Sequence, residues 1–496
     1  MSQRLICLFL IITGFTSANA QKIYQEQYRP QIHFSPQTGW MNDPNGLIFY
    51  ECRYHMFFQF YPDSTVWGPM HWGHAVSKDL VHWEQVEIAL FPDSIGYIFS
   101  GSAVLDNNNT TGFGIQGKPP LVAVFTQHDM AGEKAATNRF QNQSLAYSLD
   151  GGNKWTKYQG NPVLRTPGLK DFRDPKISWY EEQKKWIMVL AAGNQVMFYS
   201  SKDLKNWKKE SEFGAKNGAH GGVWECPDLI PYTVDGKKIW LLIVSINPGG
   251  AQGGSSAQYF TGQFDGTTFK NTDTITRWAD YGADNYAGVT FSNTGNEKIF
   301  LGWMSNWQYG TSVPTLKWRS AMTLPRVLGL KKIGGTYYTI MKPVESLEKL
   351  VLKTKTYKKI PIVNNIPLTG PARFEFSVPD LHAFSFVFSN ISGQSLRVGY
   401  SEEKNAFFID RTHAGKSDFY QQFASIHYGT RIATTNESKI TLILDNSSIE
   451  LFADEGLTTM TEIFFPEQPF TIFRQEANIK PLEDIRISQL ASIWPQ

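Results

Sequence analysis

Cysteine is nearly absent: the 496 residues hold three. Cys7 lies in the first apolar run, which leaves Cys52 and Cys226, and a chain this long builds its core without the help of one cross-link, so no disulfide is expected. Charge of one sign is also missing. The formal net charge is +2, which supplies no electrostatic footprint for a nucleic acid partner. Metal-ligand spacing is not found either. There is no H-E-x-x-H, and His71 and His74, three apart on a strand, point to opposite faces, so neither a metal nor another cofactor is expected. After residue 20 no stretch approaches the ~20 apolar residues of a spanning helix, and no transmembrane segment is expected.

The opening residues form a separate object. Arg4, the apolar run Leu5 to Phe15 and the small-residue pattern Ser17-Ala18-Asn19-Ala20 read as a secretory signal peptide over 1–20, cut after Ala20. The protein is expected to be exported, to the periplasm or the cell exterior.

What remains is rich in short β-like runs and has no amphipathic helix of any length. Gly46 to Tyr50, Tyr54 to Phe60, Leu121 to Phe125, Trp186 to Leu190, Ile239 to Ser245 and Lys298 to Met304 are examples. An internal echo organises them. Ser77-Lys78-Asp79-Leu80 precedes Trp83, Ser148-Leu149-Asp150 precedes Trp155, Ser201-Lys202-Asp203-Leu204 precedes Trp207, and a looser copy at Asp265 precedes Phe269. The four aspartates are 71, 53 and 62 residues apart, the size of four-stranded blades with irregular loops. The expected fold is all-β: a five-bladed β-propeller over 21–335, a linker over 336–352 and a C-terminal β-sandwich over 353–496. In the last part Phe374, Phe376 and Val378 alternate with Arg373, Glu375 and Ser377.

Three acidic residues sit in rigid or apolar settings. Asp43 precedes Pro44 in Trp40-Met41-Asn42-Asp43-Pro44-Asn45-Gly46. Asp174 precedes Pro175 and follows Arg173, whose guanidinium is free to reach a substrate hydroxyl or another acid. Glu225, between Trp224 and Cys226, is expected to be partly desolvated, which raises a carboxyl pKa and suits a proton donor. Each acid opens a strand in a different blade, and the inner strands of a propeller converge on one cavity. Glycosidic bond cleavage needs such a meeting of carboxyls. Trp40, Trp67, Phe99, Trp224 and Trp303 are candidates for its walls, and Asn42 and Gln59 for reading hydroxyls.

In order, the segments Trp40 to Gly46, Trp72-Gly73-His74-Ala75-Val76-Ser77, Phe99-Ser100-Gly101-Ser102, Phe172-Arg173-Asp174-Pro175 and Glu225-Cys226-Pro227-Asp228 closely resemble glycoside hydrolase family 32, the invertase, inulinase and levanase group. Asp445 to Phe452 resembles a strand of its second domain, with Asn446 where an Arg is more usual. The resemblance implies a retaining hydrolase acting on fructans (levan, inulin) and on sucrose as a side substrate. Asp43 would be the nucleophile, Glu225 the acid/base and Asp174 the transition-state stabiliser. Asn42, Gln59, Trp67, Ser100, Arg173 and Trp303 match positions that line the fructose pocket, with Trp40 and Phe99 shaping its apolar side. Asn247 to Ser255 and Gln258-Tyr259-Phe260 resemble the exo-acting subgroup. An endo-acting levanase or inulinase and a fructosyltransferase remain alternatives, separable by their products.

Overall fold

The computed structural model describes residues 23–359, 365–476 and 482–495; the expected signal peptide lies outside them. Between Gly39 and Pro343 five antiparallel sheets follow one another, each with four main strands in up-and-down order. Their inner strands are Gly39–Tyr50, Tyr97–Leu105, Phe172–Tyr180, Val223–Val234 and Tyr286–Thr290. Each inner strand packs against that of the next sheet, and the fifth returns to the first. The short strand Trp318–Arg319 pairs in parallel with Gly39 and Trp40, fastening the two ends of the ring.

The repeated Ser-x-Asp motif has a local cause. In the first three sheets it makes the turn from third to fourth strand. The hydroxyls of Ser77, Ser148 and Ser201 meet Oδ1 of Asp79, Asp150 and Asp203 at 3.3, 2.8 and 3.1 Å. The indole N–H groups of Trp83, Trp155 and Trp207 donate back to the carbonyls of Leu80, Gly152 and Leu204 at 2.8, 3.0 and 2.9 Å. Asp265 makes the fourth copy by accepting from the N–H groups of Thr267 and Thr268. The fifth sheet turns instead on Gly334 and Gly335, both at positive φ, a conformation that glycine adopts without strain. That substitution hid the last strand. Thr336–Pro343, expected in a linker, is the outer strand of the fifth sheet and pairs along its length with Arg326–Ile333. The connection is shorter, a 3-10 turn over Glu345–Leu350 that buries Leu347 and Leu350.

From Val351 the chain forms two six-stranded antiparallel sheets. Phe374, Phe386, Phe388 and Phe473 pack between them, with ring centroids 4.7 to 5.3 Å apart. Buried ionic networks join this unit to the ring. His33 meets Asp445 and Glu450, each at 2.8 Å. Arg326 holds Glu450 at 2.6 Å and Asp280 at 2.8 Å. Nearby, Arg411 pairs with Asp284 and Glu462 at 2.7 and 2.9 Å. At the margin, Trp494 stacks on Tyr24 with centroids 3.8 Å apart. Cys52 is exposed, Cys226 is buried, and both are free thiols.

Candidate active site

Every sheet breaks its ladder beside the inner strand's cavity end. The register of the inner strand slips between Met41 and Pro44, Ile98 and Gly101, Glu225 and Asp228, and Tyr286 and Val289. In the third sheet the slip separates Arg173 from Lys176. Such bulges re-aim side chains and release backbone N–H groups from pairing, which is why proline is tolerated there, as Pro44, Pro175 and Pro227. Asp174, Cys226 and Ala287 take positive φ at these breaks. Asp-Pro and Cys-Pro in the sequence are therefore the marks of strands bent inward.

The bends converge on a cavity of about 300 Å³. Nine of the twelve expected residues line it: Asn42, Asp43, Gln59, Trp67, Phe99, Ser100, Arg173, Asp174 and Glu225. Asp43 accepts hydrogen bonds from the Asn42 amide at 2.9 Å and the Ser100 hydroxyl at 2.8 Å. Asp174 accepts from the Cys226 N–H at 3.1 Å. The Cys226 thiol lies between the two acids, 3.5 Å from Asp43 and 3.7 Å from Asp174. Burial and the neighbouring Glu225 charge push the Asp43 carboxyl above its ordinary range. Asp174 is pushed up by burial, with Glu225 and Asp43 adding to it against the opposing pull of Arg173.

Glu225 is partly desolvated as expected, its side chain 19% exposed, but its partners are polar instead of apolar. Trp224 turns away to pack on Phe260 between the third and fourth sheets. One Glu225 oxygen takes two bonds from Arg173, at 3.0 and 3.1 Å, and the other takes the Tyr286 hydroxyl. Arg173 also holds Asp171 at 2.6 Å and stands 4.0 Å from Asp174. Of its two expected uses, reaching another acid is the one present.

Trp40 and Trp303 do not line the cavity. Both are fully buried. Trp303 belongs to Ile299–Met304, one strand out from the centre, and the Trp40 indole is turned to bond Asn42 at 2.7 Å. They support Trp307, whose ring lies 5.8 Å from Trp40 and 5.0 Å from Trp303 and does line the cavity. Sequence reasoning missed Trp307, which sits on a loop without a motif. It also missed Tyr286, although the inner-strand series Asp43, Ser100, Asp174, Glu225 called for a fifth member. His128 was missed too: its ring stacks on Phe99 at 4.3 Å and bonds Glu133 of the short helix Met130–Lys134 at 3.0 Å.

Carboxyl groups brought together on bent strands, with amides and indoles around them, are the equipment of an enzyme that cleaves glycosidic bonds, and comparison with known proteins puts the molecule in that class. Residues 33–343 match the N-terminal domain of glycosyl hydrolases family 32 and residues 347–489 match its C-terminal domain. The chain belongs to this family and is a glycoside hydrolase. It is 43% identical over 517 residues to a levanase from Bacillus subtilis, covering 99% of this chain and 75% of that one. The exo-inulinase structure from Aspergillus awamori superposes with a TM-score of 0.87 at 36% identity, over 95% of this chain and 100% of the other. A β-fructofuranosidase from Schwanniomyces occidentalis, complexed with fructosyl-erythritol, gives 0.85 at 33% identity, over 96% and 100%.

Proposed function

We propose that this protein is an exported exo-fructanase that removes terminal β-D-fructose from fructans with retention of configuration. We read the ring of five sheets between Gly39 and Pro343 as a five-bladed propeller carrying the site, and the two sheets that follow from Val351 as a supporting β-sandwich. The observation that carries the reading is the meeting of Asp43, Asp174 and Glu225 in one small cavity. Asp43 attacks the anomeric carbon of the terminal fructose while Glu225 gives its proton to the departing glycosidic oxygen. Water, deprotonated by Glu225, then opens the fructosyl ester. Asp174 and Gln59 face the sugar hydroxyls; Gln59 Nε2 is a buried donor without a partner among the described residues. Trp67, Phe99 and Trp307 offer apolar faces to the ring.

Ligand cavities span roughly 300–1,000 Å³, and one of about 300 Å³ suits a chain end better than an internal segment. Export is supported by the leader-like residues 1–20 and by a relative described as an extracellular exo-inulinase. Among the described residues no helix is long and apolar enough to cross a membrane.

Digests of levan and inulin are expected to release free fructose from the first time point. Rapid NMR should detect the β-furanose anomer before mutarotation. Early oligosaccharides would refute exo action, an initial α-anomer would refute retention, and fructosylated acceptors in place of fructose would indicate a transferase.

Tyr286→Phe isolates the bond to Glu225. With one hydrogen bond to a charged group removed, kcat on sucrose should fall about tenfold, with KM within twofold and melting unchanged. A matching loss of thermal stability with kcat preserved would show that the hydroxyl only supports the fold.

A further inference from the structure

A groove runs between the outer parts of the fourth and fifth sheets and the second unit. Its cavity of about 550 Å³ is lined by Trp278, Tyr281 and Tyr338 on one side and by Tyr428, Thr430 and Arg431 on the other. A separate recess of about 210 Å³, which carries Gln308, Tyr420 and Gln422, shares Gln252 with it. Gln252 lines both, and its amide donates to the carbonyls of Tyr281 at 2.8 Å and Tyr428 at 3.2 Å, spanning the two units.

The lining has a consistent chemistry. Among the described residues, neither cavity is walled by a carboxylate or a lysine. Aromatic rings, amides, hydroxyls and guanidinium groups make the surface, as suits a neutral polyol with apolar C–H faces and a rim of hydroxyls. Arg277 at its edge is 5% exposed and clamps Asp273 with both terminal nitrogens at 2.9 Å, yet its buried Nε has no partner among the described residues.

Two links tie the groove to the catalytic cavity. Asn247 lines the cavity and begins the glycine-rich loop 248–255, which carries Gln252. Trp307 lines the cavity, and the next residue, Gln308, lines the recess.

We propose that this groove binds a second stretch of a fructan chain, away from the terminus being cleaved, and so raises efficiency on polymer over sucrose. The inference rests on the fructanase reading above. Tethering through a second site increases the effective concentration of chain ends at the first.

The test uses the full chain. In an Asp43→Ala background, migration is measured in native gels containing levan or inulin, with dextran as the control polymer. Retardation by fructan should fall at least fivefold when Tyr338→Ser and Tyr428→Ser are added. Thr430→Trp, which fills the groove from an exposed position without removing core contacts, should do the same. In the active enzyme both changes should leave kcat/KM on sucrose within twofold and lower it about fivefold on long-chain fructan. Unchanged retardation and an unchanged polymer-to-sucrose ratio in the two folded variants would overturn the proposal, as would equal retardation by dextran. If the parent enzyme released no fructose from any fructan, the proposed function itself would fail. If it released fructose while the ratio held, only the groove would.

Discussion

Asp43→Ala should reduce fructose release by at least about 10⁴-fold, since removal of a nucleophile leaves only binding and electrostatics. Its melting temperature should stay level or rise by a few degrees. The sign follows from the site. A carboxyl raised above 3.8 by burial and by Glu225 is less stable as the anion in the folded chain than in the unfolded one. Removing it relieves that cost, the usual exchange of stability for reactivity. For the same reason, the acid limb of kcat/KM should lie above 3.8 in the parent, because Asp43 in its proposed role must ionise to attack. Ser100→Ala, which deletes the hydroxyl donating to that anion, should move the limb further up. Preserved turnover in a folded Asp43→Ala protein would end the assignment.

Arg326→Met should destabilise the protein by about 3–5 kcal/mol, the cost of leaving buried charges without their partner, and lower melting by roughly 5–10 °C. Arg326 is fully buried and serves two acids at once, Asp280 and Glu450. The network also has a pH signature. Burial alone would lower the His33 pKa, but Asp445 and Glu450 outweigh it and raise it from 6.5 to about 9. This stabilisation is complete below about 6.5 and is lost as pH rises through 9. Glu450 behaves oppositely. Burial works against its charged form, yet Arg326 and His33 hold it at about 2, so its contribution is present above 4.5 and fades only as pH falls through 2. Melting should therefore decline between pH 7 and 9.5, and His33→Gln should flatten that slope. An Arg326→Met protein that melted with the parent would remove the network from the account of how the two units hold together.

The acids were legible because a bend is written locally. Asp-Pro, Arg-Asp-Pro and Glu-Cys-Pro each mark a broken ladder, and the Ser-x-Asp echo marks the turns of three sheets, with the looser copy at Asp265 marking a fourth. The fifth turn, Gly334-Gly335, keeps the geometry without the motif, so its strand was placed in a linker. The tryptophans show the same limit. Trp40 and Trp303 flank the cavity in sequence, but which of three packed indoles reaches its wall depends on loop packing, and the loop residue Trp307 is the one that does. The ionic networks were illegible for another reason: His33 and Glu450 lie 417 residues apart, and no local pattern couples them.

Tyr24 against Trp494 carries a consequence for biogenesis. The earliest described segment made by the ribosome finds its aromatic partner only once Trp494 has emerged, and His33 likewise waits for Asp445 and Glu450. Contacts of such long sequence separation form late and slowly. The newly made chain therefore passes through a stage in which five sheets can assemble while their clasp hangs open, and a nascent protein stalled before Asp445 would keep an unpaired imidazole and a bare tyrosine face.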